Sequence, residues 1–281
     1  MSQEIKCSSS DCETSIYQSF WDKRYQNHQT GWDLGQVSPP LKDYFDAITN
    51  KSSRILIPGC GNAYEAQYLI SNGFTNITVI DISPTLVHQL KSKFQNNSNI
   101  KVVLGDFFEH QGVYDLIFEQ TFFCAIPPFL RSKYVWKMHQ LLASKGKLVG
   151  LLFNRDFTES PPFGGSKSEY ERLFQKAFQI QKLETAQNSI PARASTELFF
   201  EFDKNESVDV NLYHFQGITC MGCVKTISEK FSGLNGILQV SMTADFANVL
   251  IVSTKNIPLS ALENEISYDP DYKISLIKQQ I

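Results

Sequence analysis

The chain has 281 residues, 42% of them apolar and 20% charged, with 26 basic against 29 acidic side chains and a net charge of −3. This balance excludes wholesale disorder and a large basic nucleic-acid footprint, and no apolar run approaches the roughly 18 residues a membrane span needs. Six cysteines (7, 12, 60, 124, 220 and 223) are too sparse for a secreted disulfide scaffold, and Met1-Ser2-Gln3-Glu4 does not open a signal peptide. The expectation is a cytoplasmic protein with reduced thiols that binds neither nucleic acid nor membrane. Its oligomeric state is not readable, and a monomer is the default.

Residues 1–19 read as a frayed tail. Apolar bursts at 54–57, 77–80, 101–104, 114–119, 147–153 and 197–202 then read as short, largely buried strands. Helix-like segments at 62–72, 84–95 and 130–143 separate several of them. Strands alternating with helices imply an open parallel sheet covered on both faces. The polar run Asp203-Lys204-Asn205-Glu206-Ser207 suits a linker. Residues 206–281 beyond it hold five Lys and no Arg against eight acids, whereas the preceding 205 residues are neutral. The boundaries expected are therefore 20–205 for a first domain and 206–281 for a second.

The run Ile55-Leu56-Ile57-Pro58-Gly59-Cys60-Gly61-Asn62 reads as strand, tight turn and helix start. Its glycines let backbone approach a ligand, beside the free amides of a helix N-terminus. Asp81 ends the next strand twenty residues beyond Gly61, where a carboxylate can accept from ribose hydroxyls. A plain tight turn in an α/β protein would show the same two glycines. Gly105-Asp106-Phe107 ends a third strand with a carboxylate and a ring suited to a purine. Ala63 and Tyr64 leave the dinucleotide fingerprint incomplete, which favours S-adenosylmethionine over a nicotinamide cofactor.

These features resemble a class I S-adenosylmethionine-dependent methyltransferase, and within it the thiopurine methyltransferase family with its methyl-halide and thiol methyltransferase relatives. The motifs carrying the resemblance are Phe20-Trp21-Asp22-Lys23-Arg24-Tyr25, Thr30-Gly31-Trp32-Asp33, Ile57-Pro58-Gly59-Cys60-Gly61, Phe118-Glu119-Gln120-Thr121-Phe122-Phe123-Cys124-Ala125-Ile126 and Pro161-Pro162-Phe163. The resemblance spans about residues 20–202. It implies a Rossmann-like, mostly parallel seven-stranded sheet with helices on both faces. It places Trp21 and Trp32 over the cofactor as a lid and the turn Gly59-Cys60-Gly61 against the methionine portion. Asp81 falls on the ribose, and Asp106 with Phe107 around the adenine. Gln120 lies beside the cofactor, where some relatives have Arg. Phe122, Phe123, Pro162 and Phe163 are candidate walls of the acceptor pocket; ordinary core packing would also explain the two Trp residues, Phe122 and Phe123. The acceptor implied is a small soft nucleophile: a thiol, a halide, or a selenium, tellurium or metalloid species. No catalytic dyad is expected, because a soft anion attacking a sulfonium carbon needs no general base.

The last 76 residues read as strand 208–215, helix 223–234, a hairpin of 236–242 with 249–253, helix Leu259–Ile266 and strand 272–277, a small α+β βαββαβ ferredoxin-like order. Gly217-Ile218-Thr219-Cys220-Met221-Gly222-Cys223 sets two thiols three positions apart at a helix N-terminus, where the dipole lowers their pKa and both can face one soft ion. A thioredoxin-like redox pair has the same spacing but a larger fold. The segment resembles the heavy-metal-associated domain, which implies Cys220 and Cys223 as ligands of Cu(I), Zn, Cd or Hg. His214 reads as a strand-surface residue. The combined expectation is a methyltransferase fused to a soft-metal module, with a role in detoxification; the alternative is a metal-binding or metal-sensing protein built on an inactive methyltransferase fold. Because every cofactor candidate precedes Asp203, residues 1–205 alone are expected to fold and to transfer methyl groups.

Overall fold

The computed structural model describes residues 10–277, with side chains from Tyr17 onward. The chain divides between His110 and Gln111 into two compact units.

The first unit carries helices α1 (Ser10–Gln26) and α2 (Pro39–Ala47), then β1 (Ile55–Pro58), α3 (Tyr64–Ser71), β2 (Ile77–Asp81), α4 (Pro84–Lys93) and β3 (Ile100–Leu104). β1 pairs in parallel with β2, and β2 in parallel with β3, ending on the Asp81–Leu104 pair. Every residue of β1 and β2 is buried, as strands covered on both faces require. Capping sets the start of α4: the Ser83 hydroxyl accepts from the Leu86 N–H at 3.2 Å, and Pro84 opens the first turn.

α1 overrides part of the expected tail: the chain is helical from Ser10, and residues 1–9 lie outside the described residues, as does Cys7. Tyr17, Phe20, Trp21, Arg24 and Tyr25 recur at helical spacing, a stripe that propagates the helix beyond the FWDKRY motif.

The second unit opens with β4 (Tyr114–Gln120), α5 (Arg131–Leu141), β5 (Leu142–Phe153), α6 (Lys167–Phe174), β6 (Phe178–Thr185) and β7 (Glu197–Lys204). β4 and β5 are parallel; β7 is antiparallel to both β5 and β6, giving the order β4-β5-β7-β6. β6 has no counterpart among the strands read from sequence. Its register slips between Ile180 and Lys182, so the apolar positions run Phe178, Ile180, Leu183 and the period of two is broken. β7 continues through Lys204, two residues into the expected linker, because Asp203 pairs with Lys147 at 3.1 Å across the sheet.

A second sheet follows in the same unit: β8 (Asp209–Gln216), α7 (Met221–Ser232), β9 (Ile237–Met242), β10 (Asn248–Ser253), α8 (Leu259–Ile266) and β11 (Lys273–Leu276), all antiparallel in the order β11-β8-β10-β9. One face, with Tyr213, Phe215, Val249 and Ile251, forms a core with Ile227 and Phe231 of α7 and Leu262 and Ile266 of α8. The opposite face, with Val210, Leu212, Leu250 and Val252, is equally buried. There α5 packs against β8 and β10. The connection is a tight turn, in which Asn205 Oδ1 accepts from both the N–H and the hydroxyl of Ser207 at 3.1 and 2.7 Å.

Candidate functional site

Between β1 and α3 the backbone turns left-handed at Gly59 (φ +55°) and Gly61 (φ +50°), which explains glycine at both positions. Ala63 adopts φ +55° as well, a strained conformation that costs about 1 kcal/mol. Asp81 closes β2 beside this turn. Its Oδ1 accepts from the Ser83 N–H at 3.0 Å and its Oδ2 from the Gly61 N–H at 3.4 Å. Burial raises its carboxyl to a pKa of about 6, against the opposing pull of these backbone N–H groups. The Cys60 thiol, buried in the same turn, is pushed well up by desolvation and by the Asp81 charge. Gly105 N–H donates to the Asp81 carbonyl at 3.1 Å, which brings Gly105-Asp106 to the same strand ends. Asp106 Oδ1 accepts from the Phe108 N–H at 2.8 Å and so shapes the turn that buries Phe107 and Phe108.

α1 lies against these strand ends. Gln18 Nε2 donates to the Ile82 carbonyl at 3.2 Å, and Asp22 Oδ1 accepts from the Ser83 hydroxyl and the Thr85 N–H at 2.6 and 2.8 Å. Trp21 and Tyr25 both meet Trp32 edge-on, with centroids 5.4 and 5.8 Å apart. The Tyr25 hydroxyl sits 3.6 Å from where a Cβ on Gly61 would lie. Trp21, Trp32, Gly59, Cys60, Gly61, Asp81 and Asp106 thus share one end of the first unit, with Phe107 buried beneath. S-adenosylmethionine fits this donor set: the Asp81 carboxylate takes backbone N–H bonds from Gly61, Ile82 and Ser83 and, with about four lone-pair sites, keeps capacity for a ribose hydroxyl.

In the second unit, Gln120 ends β4 with Oε1 accepting from Thr121 at 3.0 Å and Nε2 buried without a partner. Glu119 was not anticipated. Fully buried, it accepts from the Phe122 and Phe123 N–H groups at 2.8 and 2.9 Å and from the Tyr134 hydroxyl at 2.9 Å, while burial raises its pKa to about 7. Phe123 lies in the interior, edge-on to Tyr134 and Tyr170. Phe122, Pro162 and Phe163 are only half-buried. The Phe163 N–H donates to the Cys124 carbonyl at 2.6 Å, tying the two candidate wall segments together. Arg131 was also missed. Its guanidinium lies 4.8 Å from the Phe123 ring and donates to the Gly164 carbonyl at 2.6 Å, leaving Nε buried without a partner. The signal for both was available: an acid directly after the apolar run Leu116-Ile117-Phe118, and a cation straight after Pro127-Pro128-Phe129-Leu130.

At the second sheet, Cys220 caps α7, its Sγ accepting from the Cys223 N–H at 3.2 Å. Cys220 is exposed and Cys223 half-buried; the Cys223 thiol is lowered by hydrogen bonding from Cys220 and then Tyr272. His214 bonds Gln216 at 3.3 Å and lines a groove of about 440 Å³ with Lys273, Glu263 and Tyr272. Among the described residues there is no group of three or more His, Cys, Asp or Glu able to hold a metal, and no helix long and apolar enough to cross a membrane.

The fold is that of class I methyltransferases. The 1,6-didemethyltoxoflavin-N1-methyltransferase of Burkholderia thailandensis superposes with a TM-score of 0.59 at 15% identity, covering 72% of this chain and 93% of that one. The magnesium protoporphyrin IX methyltransferase of Synechocystis PCC 6803, solved with bound cofactor, gives 0.55 at 14% identity, covering 72% and 100%. The model of the thiopurine S-methyltransferase family matches residues 16–206, and the chain belongs to that family. It is an S-adenosylmethionine-dependent methyltransferase. Similar proteins include the probable thiol methyltransferase 2 of Arabidopsis thaliana, 35% identical over 54% of this chain and 70% of its own. The thiocyanate methyltransferase 1 of Brassica oleracea is 27% identical over 65% and 84%, and the thiopurine S-methyltransferase of Acinetobacter baylyi 28% over 58% and 86%.

Proposed function

We propose that the enzyme methylates a small soft anion (a thiolate, thiocyanate, halide, or a selenium, tellurium or metalloid species) in the cytoplasm, as a detoxifying step. The observation that carries this reading is the wall of the second unit. Half-buried Phe122 and Phe163 are tied together through Cys124, and beside them the Arg131 guanidinium lies on Phe123 with a buried N–H to spare. A polarisable anion suits such a surface: rings accept its weakly hydrated bulk, and an unpaired cationic donor offsets its charge.

Bound S-adenosylmethionine supplies a methyl group activated by its sulfonium, so the protein's work is to position the reactants and exclude water. Asp81 would hold the ribose hydroxyls, the Gly59–Gly61 turn would receive the methionine portion, and Asp106 and Phe107 would border the adenine, while Gln120 keeps a spare N–H for a polar ligand group. Glu119, engaged by three donors, shapes the turn and moves no proton. An acceptor already anionic needs none moved.

Residues 20–205 carry this chemistry in our reading, and 206–281 form a heavy-metal-associated, ferredoxin-like domain. The strand–helix order, the Cys220 cap and the lowered Cys223 thiol support it, and these two sulfurs would hold a soft ion such as Cu(I), Zn, Cd or Hg. Incubating the protein with labelled S-adenosylmethionine and a panel of thiols, thiocyanate, iodide, selenite and tellurite tests the reading through the methylated product formed. Turnover confined to oxygen or amine acceptors would refute it.

A further inference from the structure

Residues 27–38, between α1 and α2, carry Trp32 but form no helix or strand. The main-chain hydrogen bonds of Asn27, His28, Gln29 and Asp33 run back to α1 or within the segment, from Asn27 N–H to Lys23 O at 2.9 Å and from Asp33 N–H to Thr30 O at 2.9 Å. Local bonds of this kind do not fix the segment over the glycine turn. Two cross-links do. The Ser38 N–H donates to the buried Glu65 carboxylate at 3.1 Å. Asp33 makes the other: its Oδ2 accepts from Asn62 Nδ2 and from the Tyr64 hydroxyl, the latter at 3.3 Å, while its Oδ1 accepts from the Gly35 N–H at 2.8 Å. Asn62 directly follows Gly61, and Tyr64 opens α3. One carboxylate therefore joins the Trp32 segment to the turn proposed to take the methionine portion.

Trp32 precedes Asp33, and its ring is the common partner of Trp21 and Tyr25. Fixing Asp33 consequently fixes Trp32 and its edge-on contacts to Trp21 and to Tyr25, whose hydroxyl faces Gly61. The other end of the group is pinned separately, by Asp22 on Ser83 and Thr85. We propose that Asp33 is a positioning residue, a latch that holds the Trp21–Tyr25–Trp32 cover closed on the cofactor and sets the rate at which S-adenosylmethionine and its product leave. This rests on the reading that the glycine turn and Asp81 bind that cofactor.

The latch acts through its bond to Asn62, so its strength appears in release rather than in encounter. In Asp33→Asn the charge is lost and the Asn62 amide faces another amide. Stopped-flow tryptophan fluorescence on the full chain should show cofactor dissociation about tenfold faster with an association rate within twofold of wild type, and the KM for cofactor rising while that for thiocyanate does not. The reciprocal Asp33→Asn/Asn62→Asp variant restores the bond with its direction reversed and should bring release back to within threefold. In the cofactor-free protein, amide hydrogen exchange across residues 27–38 should quicken in Asp33→Asn and recover in the reciprocal variant. If Asp33→Asn does not fold, Asn62→Ala must show the same faster release and exchange. Unchanged release in a folded single variant, or no recovery in the pair, overturns the latch. Failure of the wild-type protein to bind S-adenosylmethionine overturns the site reading instead, and the latch with it.

Discussion

Gln140 Nε2, on α5, donates to the Val210 carbonyl of β8 at 3.2 Å, joining that helix to the second sheet of the second unit. Gln239 Nε2 of β9 reaches the Leu173 carbonyl of α6 at 3.4 Å in the same way. Val210, Leu212, Leu250 and Val252 are at most 3% exposed on the face that α5 covers. The C-terminal segment is thus packed on the rest of the unit as well as tethered to it. The expectation that residues 1–205 suffice has to be revised, because removing 206–281 strips one side of α5.

The first prediction follows. Leu212→Ala should destabilise the protein by about 2–5 kcal/mol through transfer and cavity terms. Calorimetry should record one shared transition for both sheets of the second unit, and the 1–205 truncation should melt well below the full chain. A separate, unshifted transition for residues 206–281 would contradict this.

Asp81 carries the second prediction. Its free-enzyme pKa of about 6 means that it is mostly protonated below that pH and ionised above it. The ionised form is the better acceptor for ribose hydroxyls, so S-adenosylmethionine affinity should rise as pH increases through 6 and level off near 7. Asp81→Ala should weaken binding by about 1.5–3 kcal/mol at pH 8, the usual worth of hydrogen bonds to a charged group. It should also abolish the dependence on pH. Titration calorimetry at pH 5.5, 6.5 and 8 checks both.

Glu119 predicts a stability effect of definite sign. Its carboxyl titrates near 7 when folded, against an ordinary 4.5, so the folded state holds the proton more tightly. Stability contributed by that proton is present below about pH 4.5 and declines as pH rises through 7. Glu119→Gln preserves an acceptor for the Phe122 and Phe123 N–H groups and carries no charge. The melting temperature of the variant should therefore gain on wild type between pH 5 and pH 8. A constant difference across that range would count against a buried, ionising Glu119.

Much of the candidate site's geometry was legible because its residues sit at strand ends. Gly59, Gly61, Asp81 and Gly105-Asp106 follow short apolar runs, and parallel strands bring such ends together whatever the loops do. What stayed hidden was carried by contacts between distant segments. β6 lost its alternation to a register slip at Ile180. Phe123 and Phe122 look alike in sequence, yet Phe123 packs inward on Tyr134, Tyr170 and Phe174 while Phe122 stays half-buried. The double-sided burial of β8 appears only as the adjacent pair Leu212-Tyr213, which does not name α5 as the cover.

The thiol pair gives a further prediction. Cys220→Ser with Cys223→Ser should abolish binding of one equivalent of Cu(I) or Cd(II), followed by competition with a chromogenic chelator. S-adenosylmethionine affinity should stay within twofold of wild type. Retention of the metal by the double variant would remove these sulfurs as ligands.

The central claim, methyl transfer to a soft anion, is tested most directly by single-turnover product analysis with S-adenosylmethionine and thiocyanate, iodide or a simple thiol. The account predicts methyl thiocyanate, iodomethane or the methyl thioether, with one S-adenosylhomocysteine per methyl transferred. Arg131→Ala should cut the rate at least tenfold. Cofactor binding with no transfer to any soft anion, or a rate indifferent to Arg131, would contradict it.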